Sequence, residues 1–210
     1  MRDPEVRLEQ IHRQAAGSEV IQFAHHLRRC GEPHVWQSGG QVELVRGVPA
    51  RLEGFDAVLC GFNKTRVAVN RRIRRLRGFT GDLPERGERV ICLRNDHERG
   101  LFNGLLATVT HVEEEDEDLW LDLVDDVGNE FSQIRALRAQ FHEEKPLKNA
   151  DRDGPALFDF GYCLTVHKSQ GSEWDKVAVL EQIGSSWNAA RWRYTAATRA
   201  SRELVWCLRD

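Results

Sequence analysis

Two continuous apolar runs constrain this chain more than any other feature: AVLCGF at Ala57–Phe62 and FDFGYCLTV at Phe158–Val166. A half-solvated strand alternates apolar and polar residues, so a run apolar at nearly every position fits a strand covered on both faces. That is the environment of a parallel sheet with helices above and below it. KVAVLE (Lys176–Glu181) and the closing ELVWCLR (Glu203–Arg209) read as two further strands. The buried strands thus stand near both ends of the chain, and whatever lies between them interrupts one α/β unit.

Helix signals accompany the strands. After a short strand candidate, RLEQI (Arg7–Ile11), Ser18 stands as an N-cap; Val20, Ile21, Ala24 and Leu27 then keep helical spacing until Gly31 closes the segment. VWQSGGQVELV (Val35–Val45) reads as two extended pieces around Gly39 and Gly40. Asn63 can cap a helix that begins at Lys64 and carries Val69, Ile73 and Leu76 on one stripe. A last helix is expected from about Ser186 to Ala200, with Trp187, Ala190, Tyr194 and Ala197 along it. From about Pro84 the texture changes to RVICLR, LLATVTHV, LWLDLV and EFSQIR, separated by Asn, Asp and Gly. Strands at such regular spacing make a small antiparallel sheet or barrel. The expected organisation is an α/β domain of residues 1–83 and 146–210, with a small antiparallel β insertion at 84–145.

Composition excludes several classes. With 40% hydrophobic residues and a formal net charge of −3, the 210-residue chain is neither disordered nor collagen-like. No stretch approaches the roughly 18 consecutive apolar residues of a membrane span. The opening MRDPEVRLEQ has no apolar signal segment, and the five scattered cysteines never form a C-x-x-C pair. Both suit reduced thiols, a cytoplasmic setting and no metal site. His25, His26 and Cys30 share a helix without a fourth ligand and read as structural. Charge is unevenly placed: Lys64–Arg77 holds seven bases and no acid, whereas Glu113–Asp118 is six acids in a row. The first can attract phosphates; the second repels them and reads as a solvated turn of the β block.

Two stretches carry chemistry. Thr165-Val166-His167-Lys168-Ser169-Gln170-Gly171-Ser172-Glu173-Trp174 follows a buried strand, so it places hydroxyls, a cation and a carboxylate outside the end of a sheet, where open α/β folds bind ligands. On composition alone an ordinary polar loop reads equally well. RWRYTAATRA (Arg191–Ala200) presents Arg199 from a helix whose small residues allow close packing; by itself Arg199 reads more simply as a surface arginine.

Together, CLTVHKSQGSEWDKVAVL and RWRYTAATRASREL closely resemble motifs V and VI of superfamily 1 DNA helicases, in particular the RecD-like and phage Dda-like group. RLEQIHRQAAGSEVIQFAHHLRRC is similar to the motif IV region of that group, and AVLCGFNKTRVAVNRRIR to its segment opening a helix against single-stranded DNA. The resemblance implies a second RecA-like, P-loop-NTPase-type motor domain with a parallel sheet, carrying a Src-homology-3-like barrel as its insertion. It implies that Arg13 reaches nucleotide phosphates and that Arg199 is an arginine finger. It places Gln170, Gly171 and Glu173 toward ATP, with Glu173 on the ribose. Asn63, Lys64, Thr65, Arg66, Thr165, His167, Lys168 and Ser169 are implied on single-stranded DNA, and travel is implied to run 5′ to 3′. Trp36, Trp120, Trp174, Trp187, Trp192 and Trp206 are candidates for base stacking, the last more simply a core residue.

The pattern G-x-x-x-x-G-K-[ST] occurs nowhere in the chain, and no strand ending in paired acids precedes Arg13. ATP and Mg2+ are therefore expected to be held mainly by a first RecA-like domain, supplied in cis or in trans, and the chain alone is expected to be inactive. Two other readings remain at this stage: a non-catalytic single-strand-binding remnant, and half of an RNA helicase.

Overall fold

A computed structural model describes residues 18–37, 39–147 and 154–208. Arg13 and the RLEQI segment lie outside the described residues. Five strands, β1 (Val42–Arg46), β2 (Ala57–Cys60), β8 (Cys163–Thr165), β9 (Trp174–Leu180) and β10 (Ala200–Leu208), form a parallel sheet in the order β1-β10-β9-β2-β8. Side chains alternate across it. Leu59, Val177, Val179, Leu204 and Trp206 meet α1 (Glu19–Cys30) and α3 (Ala189–Ala197) on one face. Val58, Cys60, Ala178, Leu180 and Cys207 join Val69 and Ile73 of α2 (Asn63–Leu76) on the other. Both faces are apolar because both are covered, as the unbroken runs required. Ala196 and Ala197 bring α3 close, and fully buried Trp206 donates its indole N–H to Glu181 Oε2 at 2.8 Å.

The entry to the sheet is tied by one carboxylate. Glu19, in the first turn of α1, accepts from Trp36 Nε1 at 3.2 Å and from the amides of Gly39, Gln41 and Val42 at 2.5, 2.7 and 3.2 Å. Desolvation opposes its ionisation, but these donors outweigh it and lower the Glu19 pKa. Ser18 occupies the N-cap position without making a capping hydrogen bond, and Gly31 closes α1 at φ 74°.

The second sheet is antiparallel, in the order β6-β5-β4-β3-β7: β3 (Arg89–Cys92), β4 (Leu106–Glu115), β5 (Asp118–Asp125), β6 (Glu130–Leu137) and β7 (Phe158–Phe160). Its outer strands meet. Ala156, just before β7, bridges Ala136 of β6; Leu137 N donates to Ala156 O at 2.9 Å and Ala156 N to Arg135 O at 2.7 Å. The acidic run forms the β4–β5 hairpin, exposed from Glu113 to Glu117, with Asp116 at φ 51°.

Several expectations need correction. The run Phe158–Val166 is two strands in two sheets, because Gly161 breaks it at a point where a Cβ would crowd Leu106 and the Val90 backbone. Apolar continuity cannot reveal this, since both halves are buried. The insertion's sheet therefore takes residues from beyond 145. Of the two extended pieces expected across Val35–Val45, the second is β1, whereas Val35 closes a helical turn, Pro33–Val35. The last helix is shorter than expected; Asn188 caps it, its Oδ1 accepting from Arg191 N at 2.9 Å. Asn63 is the first residue of α2 rather than its cap, and its Oδ1 accepts from Arg66 Nε at 3.4 Å.

Helix α2 lies between the sheets and joins them through buried polar contacts. Arg74, 3% exposed, donates from Nε and Nη2 to the two oxygens of Glu88, 0% exposed, each at 2.7 Å. Tyr162 O–H adds a bond to Glu88 Oε1 at 3.3 Å, and burial above all pushes the Tyr162 pKa up to about 12. Arg66 pairs with Asp159 of β7 and donates to Glu143 O. Asn70 caps the buried outer edge of β8, accepting from Tyr162 N and Cys163 N and donating to Cys163 O at 3.0 Å.

Replacing Arg74 by Met leaves the Glu88 carboxylate buried without its cation and is expected to cost about 3–5 kcal/mol in urea unfolding. The exposed neighbour change Arg75→Met is expected to stay within about 0.5 kcal/mol. For Glu19 the lowered folded pKa sets the sign: its contribution is present above the ordinary carboxylate pKa and is lost as pH falls through the folded value. Glu19→Gln is thus expected to lower Tm at pH 7, with the gap between variant and parent closing as the pH is taken below about 4.

Candidate functional site

The loop 166–173 joins β8 to β9, and β2 stands between those parallel strands. The connection must therefore pass from the carboxyl edge of the sheet back to its amino edge. At the carboxyl edge, His167 meets Trp187 edge-on, ring centroids 4.9 Å apart, and Trp187 leans on Phe62 at 5.4 Å. Phe62 leads directly into α2. At the amino edge the loop ends beside Arg199, which follows α3.

Local chemistry shapes the loop. Lys168 N and Ser169 N both donate to Thr165 O, at 2.8 and 3.0 Å, and Ser169 Oγ donates to Val166 O at 2.9 Å. Thr165 and Ser169 are buried, the first giving its carbonyl and the second its hydroxyl to the turn. His167, Gln170, Gly171 and Glu173 are exposed. Gly171 has φ +92°, a conformation in which an L side chain is strained. Lys168 donates to Asn103 Oδ1 at 2.7 Å, which links this loop to the β3–β4 connection of the second sheet. Burial lowers the Lys168 pKa.

Arg199 is held by backbone carbonyls: Nη1 donates to Ser172 O at 2.7 Å and Ser169 O at 3.5 Å, and Nε to Thr195 O at 3.2 Å. Among the described residues it forms no ion pair. Its cation therefore stays uncompensated beside the loop that carries Gln170, Gly171 and Glu173. No cluster of three metal-binding side chains occurs among the described residues.

At the start of α2, Asn63 and Lys64 are exposed and Thr65 is half-buried beside amides without helical partners. Arg66 is withdrawn from this set: it is buried in its pair with Asp159, 93 residues away in sequence. The basic run is likewise no uniform patch, since Arg74 is buried, Arg72 donates to Pro49 O and Ala50 O, and Arg77 to Glu53 O. Sequence reasoning missed Phe62 and the Lys168–Asn103 link. An aromatic residue closing a buried strand was a usable signal for the first; nothing local announces the second. Of the tryptophans, Trp174, Trp192 and Trp206 are buried, and Trp187 lies at the carboxyl edge.

The sheet, its crossing loop and the tethered arginine lie in the part of the chain where known proteins are similar. Residues 160–206 match the UvrD-like helicase C-terminal domain family. The chain is 28% identical over 222 aligned positions to the ATP-dependent RecD2 DNA helicase of Deinococcus radiodurans, covering 94% of this chain and 28% of that protein. It resembles the Pif1 helicase of Candida albicans with a TM-score of 0.56 and 19% identity, covering 96% of this chain and 55% of the other. It also resembles Bacteroides Pif1 bound to single-stranded DNA, with a TM-score of 0.50, 17% identity and coverage of 79% and 43%. The fold is thus like that of the Pif1 helicases, and residues 160–206, where the resemblance to motifs V and VI lies, match a helicase C-terminal domain family. The chain spans less than a third of the length of its RecD2 relative.

Gly61 keeps the carboxyl edge tight, because a Cβ there would overlap the Gln182 carbonyl at the end of β9. Gly61→Ala is expected to separate these strand ends at a cost of about 1–3 kcal/mol in chemical unfolding.

Proposed function

We propose that the chain is the second motor domain of an ATP-dependent DNA helicase that moves 5′ to 3′ along single-stranded DNA. One observation carries the reading: a single eight-residue loop, 166–173, touches the Arg199 guanidinium at one end and the aromatic edge of the strand face at the other. A shift of Arg199 toward a γ-phosphoryl group alters the loop that ends at His167, which gives nucleotide state a direct path to strand grip. The RecD2 relative is named an ATP-dependent DNA helicase, and one of the similar Pif1 structures holds single-stranded DNA; both support the same assignment here.

In this reading Arg199 supplies fixed positive charge where charge spreads over the transferring phosphoryl oxygens. Gly171 leaves room for close backbone approach, and exposed Glu173 accepts hydrogen bonds from ribose hydroxyls. Arg13 is proposed as a second phosphate ligand. The residues at hand fit the γ-phosphate and ribose side of ATP and not a Mg2+ site, so the phosphate cradle and metal belong to a first RecA-like domain. Asn63, Lys64, Thr65 and His167 line the strand, while Lys168 reaches it only by leaving Asn103. The second sheet, closed by the Ala136–Ala156 bridge, is the small inserted barrel, and its β3–β4 connection sits where it feels the loop move.

ATPase of the chain alone is expected at background with or without single-stranded DNA; stimulated turnover by the isolated chain refutes the two-domain division. Strand affinity is expected to fall with salt at a log–log slope of about −0.7 per phosphate contacted, and a preference for RNA over DNA of equal sequence changes the proposed track. Joined to a P-loop domain, Arg199→Ala is expected to lower turnover on the order of 10³-fold while strand affinity holds.

A further inference from the structure

Two neighbouring residues at the start of the crossing loop turn apart. His167 packs on Trp187 at the carboxyl edge, whereas Lys168 reaches to the second sheet and donates to Asn103 Oδ1 at 2.7 Å. Both ends of that bond are anchored. Lys168 N donates to Thr165 O at 2.8 Å, which fixes the loop where it leaves β8. Asn103 N donates to Asn95 Oδ1 at 2.7 Å, and the next amide, Gly104 N, donates to Cys92 O at 2.8 Å, with Gly104 at φ 97°. With both backbones tied, the side-chain bond is the part of this contact that is free to open and close.

The partners are unequal. Lys168 is half-buried and carries an ammonium group, yet its acceptor is a neutral amide, and among the described residues it forms no ion pair. Asn103 is exposed, so the bond lies within reach of a ligand. A phosphate oxygen offers the ammonium group the same hydrogen bond and adds the attraction of opposite charges. A phosphate that comes close therefore outcompetes the amide for Lys168.

We propose that Asn103 is a positioning residue for strand binding: it holds Lys168 on the second sheet while no strand is bound and gives it up to a backbone phosphate. This rests on the strand-track reading above and deepens it, because it names the residue of the inserted sheet that regulates one strand-facing cation. Binding then breaks one contact as it makes another, and apparent affinity is lowered by the fraction of molecules in which Lys168 is latched. Strand occupancy and the Lys168–Asn103 bond exclude each other, which links the inserted sheet to the strand through a single side chain.

A double-mutant cycle tests this, read by fluorescence anisotropy of a labelled oligothymidylate on the full chain. Asn103→Ala is expected to bind about fivefold tighter than the parent, the loss of one hydrogen bond that binding otherwise has to break. A damaged fold does not produce a gain of that kind. Lys168→Ala is expected to bind more weakly, with a log–log salt slope shallower by about 0.7, and adding Asn103→Ala to it is expected to change nothing further. In nuclear magnetic resonance spectra, the Asn103 side-chain amide signals are expected to move on strand addition in the parent and to stay in place in Lys168→Ala. Unchanged or weaker binding by Asn103→Ala, an equal gain when Lys168 is already replaced, or parent-like binding by Lys168→Ala overturns the latch. Failure of the parent chain to bind the oligomer at low salt overturns the strand-track reading itself.

Discussion

The Arg74–Glu88 pair and its Tyr162 contact hold α2 between two sheets, and the position of the first turn of that helix depends on the clamp. Removing two charges from water is expensive, and mutual attraction offsets it only when geometry is good and the remaining lone pairs are filled. Here the guanidinium is bidentate, and Glu88 also accepts from Glu85 N and Tyr162 O–H. Arg66 with Asp159 repeats the arrangement two turns earlier. A helix fixed at both ends in this way presents its first turn at one defined height above the carboxyl edge of the parallel sheet.

That fixed edge gives the crossing loop its meaning. A parallel sheet forces any connection between two of its strands to travel back along the strand direction, and here β8 and β9, with β2 between them, are joined by the loop alone, without a helix. Its two ends therefore lie at opposite edges, one beside Arg199 and one beside Trp187. The Thr165 carbonyl and the Ser169 hydroxyl close the turn that opens the loop, and Arg199 ties its second half through the Ser172 carbonyl, so both halves are held by hydrogen bonds.

Much of this was legible from residues. Unbroken apolar runs announced covered strands, Gly31 announced the end of α1, and the alternating block announced an antiparallel sheet whose acidic turn is solvated. Residue types and order singled out the motif loop and Arg199, which the fold sets side by side. That Arg66, Thr165 and Ser169 are buried was not legible, because a polar side chain in a motif looks the same in sequence whether it faces solvent or packs inside. The split of Phe158–Val166 escaped notice because burial was read correctly and sheet membership is not a local property.

By itself the sequence determined which segments are covered and where the chain turns, since period, apolar content and glycine act over a few residues. Tertiary structure alone decided which charges are used up, because the partners of Arg66 and Arg74 come from distant segments and their desolvation exists only after packing. It also decided that one loop spans the sheet, because that depends on how strands are ordered, and strand order is set by the burial of whole faces.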